Sequence, residues 1–214
     1  MLLKERYDYI LDFFADTNAI AETELQYDNP YQLVVAVSLS AQCTDKRVNM
    51  VTPALFEKFP DPATLSKATF EEVFESIRSI SYPNNKAKHL IAMAQRLVNV
   101  YQSEVPDNIE DLQTLQGVGR KTANVIVSVI HNQPAMAVDT HVYRVSRRLG
   151  LVPLTANTPL AVEKKLMKHL PENIIPKAHH WLILHGRYVC LARKPKCAEC
   201  GLKIACKYFQ KNID

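Results

Sequence analysis

A chain of 214 residues, 47% hydrophobic and 22% charged, is long enough to bury a sizeable core in one large domain or two small ones. No apolar run reaches the length of a membrane span, and Met1-Leu2-Leu3-Lys4-Glu5-Arg6 lacks a signal-peptide layout, so the expected location is cytoplasmic, nucleoid-associated included. A net charge of +4 is too mild to indicate a polyanionic partner, so the placement of the cations matters more than their sum.

Residues 4–15 place Tyr7, Ile10, Leu11 and Phe14 at helical spacing. After a polar stretch, Asn29-Pro30 starts YQLVVAVSLSAQ, apolar nearly all round and so a buried helix. Residues 45–58 predict an amphipathic helix with Val48, Val51, Leu55 and Phe59 inward, ended by Phe59-Pro60-Asp61-Pro62. A short helix is expected over Phe70–Ile77, and a long one over 86–101 with Leu90, Ala94, Leu97 and Tyr101 on one side. Asp107 is the expected N-cap of the next helix, with Glu110 three residues on and Ile109, Leu112 and Leu115 on its apolar face. Beyond Pro134, Asp139 can cap a helix that Gly150 ends, and Pro159–Leu170 and Lys177–Leu191 supply two more. Five glycines are too few for a hairpin-rich sheet, and no repeat or low-complexity run appears. The fold class expected is all-α, in two helical lobes with a cleft between them.

The turn Gly117-Val118-Gly119 joins two of these helices. The second opens with Arg120-Lys121-Thr122 and stops before Pro134. Glycine-flanked N–H groups and two cations at a helix N-terminus suit a phosphate, although a plain helix hairpin also uses glycines to turn.

Four of the five cysteines form Cys190-x6-Cys197-x2-Cys200-x5-Cys206. So dense a set in an intracellular chain reads as metal ligation before disulfides. Zinc ribbons use two short Cys-x2-Cys knuckles; here one loop wraps a bulkier object, which favours a [4Fe–4S] cluster. Arg187, Arg193, Lys194 and Lys196 surround that loop, either as solvated charge offsetting the thiolates or as phosphate contacts. Cys43 stands apart as a packing residue, and His179, His180 and His185 read as polar or packing positions.

Lys121 sits where a helix dipole and Arg120 both disfavour its ammonium, which moves the amine toward a nucleophile. Asp139, eighteen residues on, offers a carboxylate that could deprotonate such an amine or stabilise an oxocarbenium-like sugar. Against this, lysines at helix starts commonly touch phosphate or solvent, and Asp139 can serve as a simple N-cap. His141 is expected to hold local structure, not to react.

LQGVGRKTAN, VDTHVYRV and HHWLILHGRYVC, followed by the 6-2-5 cysteine spacing, resemble the endonuclease III family of helix-hairpin-helix DNA glycosylases with an iron–sulfur cluster. The similarity runs in order from Tyr31-Gln32-Leu33 to the cysteines. It implies a monomeric base excision enzyme that acts on double-stranded DNA, removes oxidised pyrimidines and cleaves 3′ to the abasic site by β-elimination. Lys121 falls on the Schiff-base lysine and Asp139 on the catalytic aspartate. Cys190, Cys197, Cys200 and Cys206 fall on the cluster ligands, and Gln42 on the residue that fills the gap left by the extruded base. Gly117, Val118, Gly119 and Arg120 fall on the DNA-gripping hairpin. Two lobes are implied: 23–133, containing the hairpin at about 108–131, and 1–22 with 134–214, containing the cluster loop 190–206.

The chain departs from the family in two places. Gln116 replaces a common proline, and Ser81-Tyr82-Pro83-Asn84-Asn85-Lys86-Ala87 stands where the wedge loop often reads Gly-Leu-Tyr-Asn-x-Lys-Ala, so Tyr82 takes the place of the wedge leucine. The rival readings are an adenine-mismatch glycosylase, which typically lacks the lysine and carries a further C-terminal domain, and a non-catalytic DNA-binding or redox-sensing module.

Overall fold

A computed structural model describes residues 1–18 and 21–211. All regular structure among them is helical, as the scarcity of glycine implies. Contacts divide the chain into two units, Thr23–His131 and Met1–Glu22 with Asn132–Asp214.

The unit Thr23–His131 contains α2 (Pro30–Ser40), α3 (Asp45–Lys58), α4 (Pro62–Ser66), α5 (Phe70–Ile77), α6 (Pro83–Tyr101), α7 (Ile109–Leu112) and α8 (Arg120–His131). Its centre is α2, where Leu33, Val34, Val35 and Ala36 lose all exposure, as a helix apolar all round must. Asn29 caps it by accepting from the Gln32 N–H, with Pro30 in the first turn, where its missing N–H costs nothing. The same grammar starts α5: Thr69 accepts from the Glu72 N–H, and the Glu72 carboxylate accepts in return from the Thr69 N–H. Those bonds, the backbone one foremost, and nearby Lys58 hold the Glu72 carboxyl below its usual range.

Within this unit two helix starts differ from expectation. The long helix begins three residues early, at Pro83, with Tyr82 in left-handed backbone at its N-cap. The cap of α7 is Asn108, not Asp107: Asn108 Oδ1 accepts from the Asp111 N–H at 2.8 Å, while Asp111 Oδ2 accepts from Asn108 Nδ2. Two adjacent capping residues compete, and the one whose oxygen reaches the third helical N–H wins.

The other unit contains α1 (Leu3–Thr17), α9 (Thr140–Leu149), α10 (Pro159–His169), a 3-10 turn (Glu172–Ile174), α11 (Ile175–Tyr188) and α12 (Lys207–Lys211). Phe14 of α1 stacks on Trp181 of α11 with centroids 5.8 Å apart, within a core that includes Ile10, Val142, Leu149, Leu166 and Leu202. α11 starts two residues before the expected Lys177 and ends at Tyr188, where the Cys190 N–H turns back to the His185 carbonyl at 2.7 Å. α1 also holds the C-terminal loop: buried Arg6 donates through Nε to the Ala205 carbonyl at 2.9 Å, and Gly201 lies so close to Phe13 that a Cβ there would meet its ring at 2.2 Å.

Candidate active site

The hairpin turn uses its two glycines for different reasons. Gly117 has φ +83°, and a Cβ added there would also meet the His89 side chain of α6 at 3.2 Å. Both facts come from inside the protein. Gly119 has no such constraint: its backbone is not left-handed, and an added Cβ would meet nothing within 4 Å. Its carbonyl accepts the first helical bond of α8, from the Ala123 N–H at 2.9 Å. Val118 between them is buried and bonds back to the Leu115 carbonyl. Gln116 is exposed, and the turn closes without the proline found in many relatives of this motif. From α6, Arg96 Nε donates to Thr114 Oγ1 at 2.9 Å, and the Tyr101 hydroxyl lies 2.8 Å from the same atom, strapping the hairpin down.

Lys121 is exposed in the first turn of α8. Asp139 belongs to the other unit, at the end of the buried run Ala135–Val138. It is the N-cap of α9: Oδ1 accepts from the Val142 N–H at 2.8 Å. The cap engages one carboxylate oxygen, and among the described residues no bond is made to Oδ2. Capping and chemistry therefore need not compete. His141 is structural as expected: its Nδ1 lies 3.1 Å from Arg144, which also donates to the carbonyls of Gly186 and Cys190.

Gln42 and Tyr82 occupy two exposed turns of the unit Thr23–His131, and both adopt left-handed backbone, φ 55° and 56°. Bulky residues rarely do so without support. Beside both turns lies Lys86, to which the sequence assigns no role. Its ammonium is buried and donates to the carbonyls of Leu39 and Ala41 at 2.8 and 2.7 Å. Burial lowers its pKa, with Cys43 opposing the shift. The available signal was a lysine four residues before Leu90, on the inward stripe of a helix.

Cys190, Cys197, Cys200 and Cys206 line one cavity, whose wall also includes Leu149, His185 and Phe209. Burial pushes the Cys200 and Cys206 thiols up, and neighbouring cysteines push them further in the same direction. Among the described residues no three His, Cys, Asp or Glu side chains converge on a single-ion point. The chain between the cysteines runs in short turns, including Cys200 N–H to Cys197 O at 3.2 Å and Cys206 N–H to Lys203 O at 3.3 Å. Phe209 N–H and Arg148 Nη1 donate to Cys206 and Cys190 sulfur, both at 3.5 Å. His185 Nε2 lies 3.8 Å from Cys200 sulfur, and burial lowers its imidazole to about 4. Arg193, Lys194 and Lys196 are exposed, Lys196 at the rim of this cavity, whereas Arg187 is half-buried.

A family model for the HhH-GPD superfamily of base excision DNA repair proteins matches residues 35–172. Endonuclease III of Rickettsia prowazekii (strain Madrid E) is 46% identical over 200 residues, covering 94% of this chain and 93% of the relative. That of Bacillus subtilis (strain 168) is 46% identical over 211 residues, covering 99% and 96%. The chain belongs to the endonuclease III family. Within the solved structures, a trapped endonuclease III–DNA covalent intermediate matches with a TM-score of 0.93 and 44% identity, covering 100% of both chains.

Membership of the endonuclease III family makes this chain a DNA glycosylase and AP lyase of base excision repair, which removes the non-catalytic reading. The HhH-GPD match spans the Gln42 and Tyr82 turns, the hairpin with Lys121, and Asp139, and it stops short of the cysteines. As an endonuclease III family member the chain binds DNA. No described helix is long and apolar enough to cross a membrane.

Proposed function

We propose that this chain removes oxidised pyrimidines from double-stranded DNA and cleaves the strand 3′ to the resulting abasic site, through a Schiff base on Lys121. Lys121 carries the reading: it is an exposed amine two residues beyond Gly119, a glycine for which nothing inside the protein gives a reason. A phosphate backbone approaching that bare surface supplies one, since helix N-termini and glycine turns suit phosphates. The same approach would bring a sugar to the amine. Extrusion of the target nucleotide is required because its glycosidic carbon is closed to attack within the stack.

The chemistry balances with groups of this chain. Lys121 Nζ forms a bond to C1′ as the bond from C1′ to the base breaks, and the base leaves with the electron pair. The unengaged Oδ2 of Asp139 takes the ammonium proton or faces the cationic sugar as the base departs. The nitrogen then loses a proton and the C1′–O4′ bond breaks, O4′ leaving as the protonated 4′ hydroxyl, which gives the imine. The imine acidifies the C2′ proton, whose removal expels the 3′ phosphate by β-elimination. Reduction of wild-type reactions with borohydride tests this directly. A covalent adduct is expected with abasic DNA and with duplexes carrying oxidised pyrimidines; its absence from folded protein sinks the proposal.

The two hairpin glycines should part company. Gly117→Ala is expected to cost about 1–2 kcal/mol, because alanine must hold a positive φ against His89. Gly119→Ser keeps a good helix cap and should leave stability within ~0.5 kcal/mol, yet weaken DNA binding by roughly tenfold or more. Thermal unfolding and DNA titration at fixed salt check both.

The four thiols fit a [4Fe–4S] cluster: they line one cavity, and two of the sulfurs receive N–H donors. Bound there, the cluster supplies a covalent staple for residues 190–206, whose connections are otherwise short turns. It would fix the loop that carries the exposed cations Arg193, Lys194 and Lys196, which suit DNA phosphates. Cys200→Ala is expected to abolish the visible absorbance and iron content of the purified protein. Loss of so central a staple costs about 3 kcal/mol or more, a fall of roughly 6–12 °C in Tm.

A further inference from the structure

We propose that Lys86 is a positioning residue that locks the Gln42 turn and the Tyr82 turn into one double finger, so that the two side chains enter the duplex as a unit. The inference rests on the reading that Gln42 and Tyr82 are the residues inserted where the base leaves.

An ammonium has three N–H donors, and here all three have acceptors. Leu39 O lies at 2.8 Å, Ala41 O at 2.7 Å and Ser81 Oγ at 3.3 Å. Ser81 then donates to the Gln42 carbonyl at 2.8 Å. The circuit is closed: Lys86 holds the residues just before Gln42, Ser81 holds Gln42 itself, and Ser81 adjoins Tyr82. The cation also sits on carbonyls at the C-terminal end of α2, where the helix presents its negative pole.

This fixes what the two turns cannot fix alone. Each finger residue is a non-glycine in left-handed backbone, a conformation that persists only where the surroundings over-determine it. Their side chains meanwhile point to solvent, Tyr82 at 64% exposure, so they contribute little burial that would hold them. Lys86 provides the missing constraint from below, 45 and 47 residues away in sequence from the carbonyls it binds. It does so with bonds to backbone, so the clamp is independent of which side chain occupies the tip. A chain can therefore carry tyrosine in place of the wedge leucine without losing the register between its two fingers.

Lys86→Met removes the donors and keeps the stem. In the free protein, amide exchange should accelerate at both turns, 41–43 and 81–82, while α3 and α5 stay protected. With a duplex carrying 2-aminopurine opposite a tetrahydrofuran abasic analogue, wild type should brighten the fluorophore as the fingers enter. Lys86→Met should lose that rise and slow base excision at least ~10-fold, since small misplacements of positioning groups cost that much. Lys86→Arg should recover part of the signal, and Ser81→Ala, which leaves Lys86 on α2, should loosen the coupling while the protein folds normally. Combining Lys86→Met with Gln42→Ala and Tyr82→Ala should add little further loss. Acceleration at one turn alone, or a Lys86→Met protein that brightens 2-aminopurine like wild type, overturns the coupling. A wild type that leaves 2-aminopurine dark, with exchange at both turns still dependent on Lys86, would instead overturn the inserted-finger role and the proposal with it.

Discussion

Lys121→Gln should fold and bind abasic DNA, yet fail to form a borohydride adduct and fail to cleave the strand, a loss of at least ~10³-fold. The substitution is mild structurally. Lys121 is exposed in the first turn of α8, and glutamine has nearly the helix propensity of lysine, so stability should change by no more than ~0.5 kcal/mol. The informative comparison is with the bland role for such a residue, a phosphate contact. A lost phosphate contact weakens binding and is recovered by raising the enzyme concentration. A lost nucleophile is not. Single-turnover reactions with enzyme in excess therefore separate the two, and full recovery at saturation would demote Lys121 to a binding residue.

One helix organises the parts of the unit Thr23–His131 that we propose face DNA. α6 has 19 residues, a length of about 28 Å at the usual helical rise. At its start, Lys86 holds the Gln42 and Tyr82 turns. One turn on, His89 packs beneath Gly117; further along, Arg96 and Tyr101 reach Thr114 at the entry to the hairpin. The proposed finger turns and the proposed phosphate-binding turn are thus fixed to a common rod, and the inward stripe that Lys86 begins continues as Leu90, Met93, Ala94 and Leu97, all fully buried. Substrate contacts set on one rigid element keep their spacing without further bracing.

What the sequence shows of this depends on range. The hairpin, the 6-2-5 cysteines and the Asp139 cap are legible because their parts lie within one or two turns of chain. Lys86 is not, because its partners lie 45 and 47 residues back and a carbonyl leaves no mark in sequence. The same holds for Arg6, which binds a carbonyl 199 residues away. Gly117 and Gly119 look alike as letters, and only coordinates separate a glycine demanded by the fold from one the fold leaves unexplained. Asp107 and Asn108 are both good caps, and only the geometry of the loop decides between them. Gln116 stands exposed where the family often has proline, and Val118 bonds back to Leu115, so the closure is made by backbone.

Asp139→Asn is the substitution that separates a cap from a catalyst. Asparagine can present Oδ1 to the Val142 N–H as aspartate does, so the start of α9 survives with a loss below about 1 kcal/mol, mainly the charge–dipole part. Alanine cannot, and Asp139→Ala should cost about 1 kcal/mol beyond that, or roughly 2–4 °C in Tm. If the carboxylate serves only the helix, activity follows stability and Asp139→Asn stays near wild type. If the unengaged oxygen does chemistry, both variants lose roughly 10²–10⁴-fold in base excision, and the better-folded asparagine variant is no better an enzyme. The loss should also depend on substrate. A carboxylate that stabilises the sugar while the base departs matters most when a base is present, so the deficit should be larger on intact lesions than on abasic DNA prepared beforehand. Equal deficits on both substrates would shift its role to deprotonating Lys121, a step common to both; no deficit on either would return Asp139 to its cap.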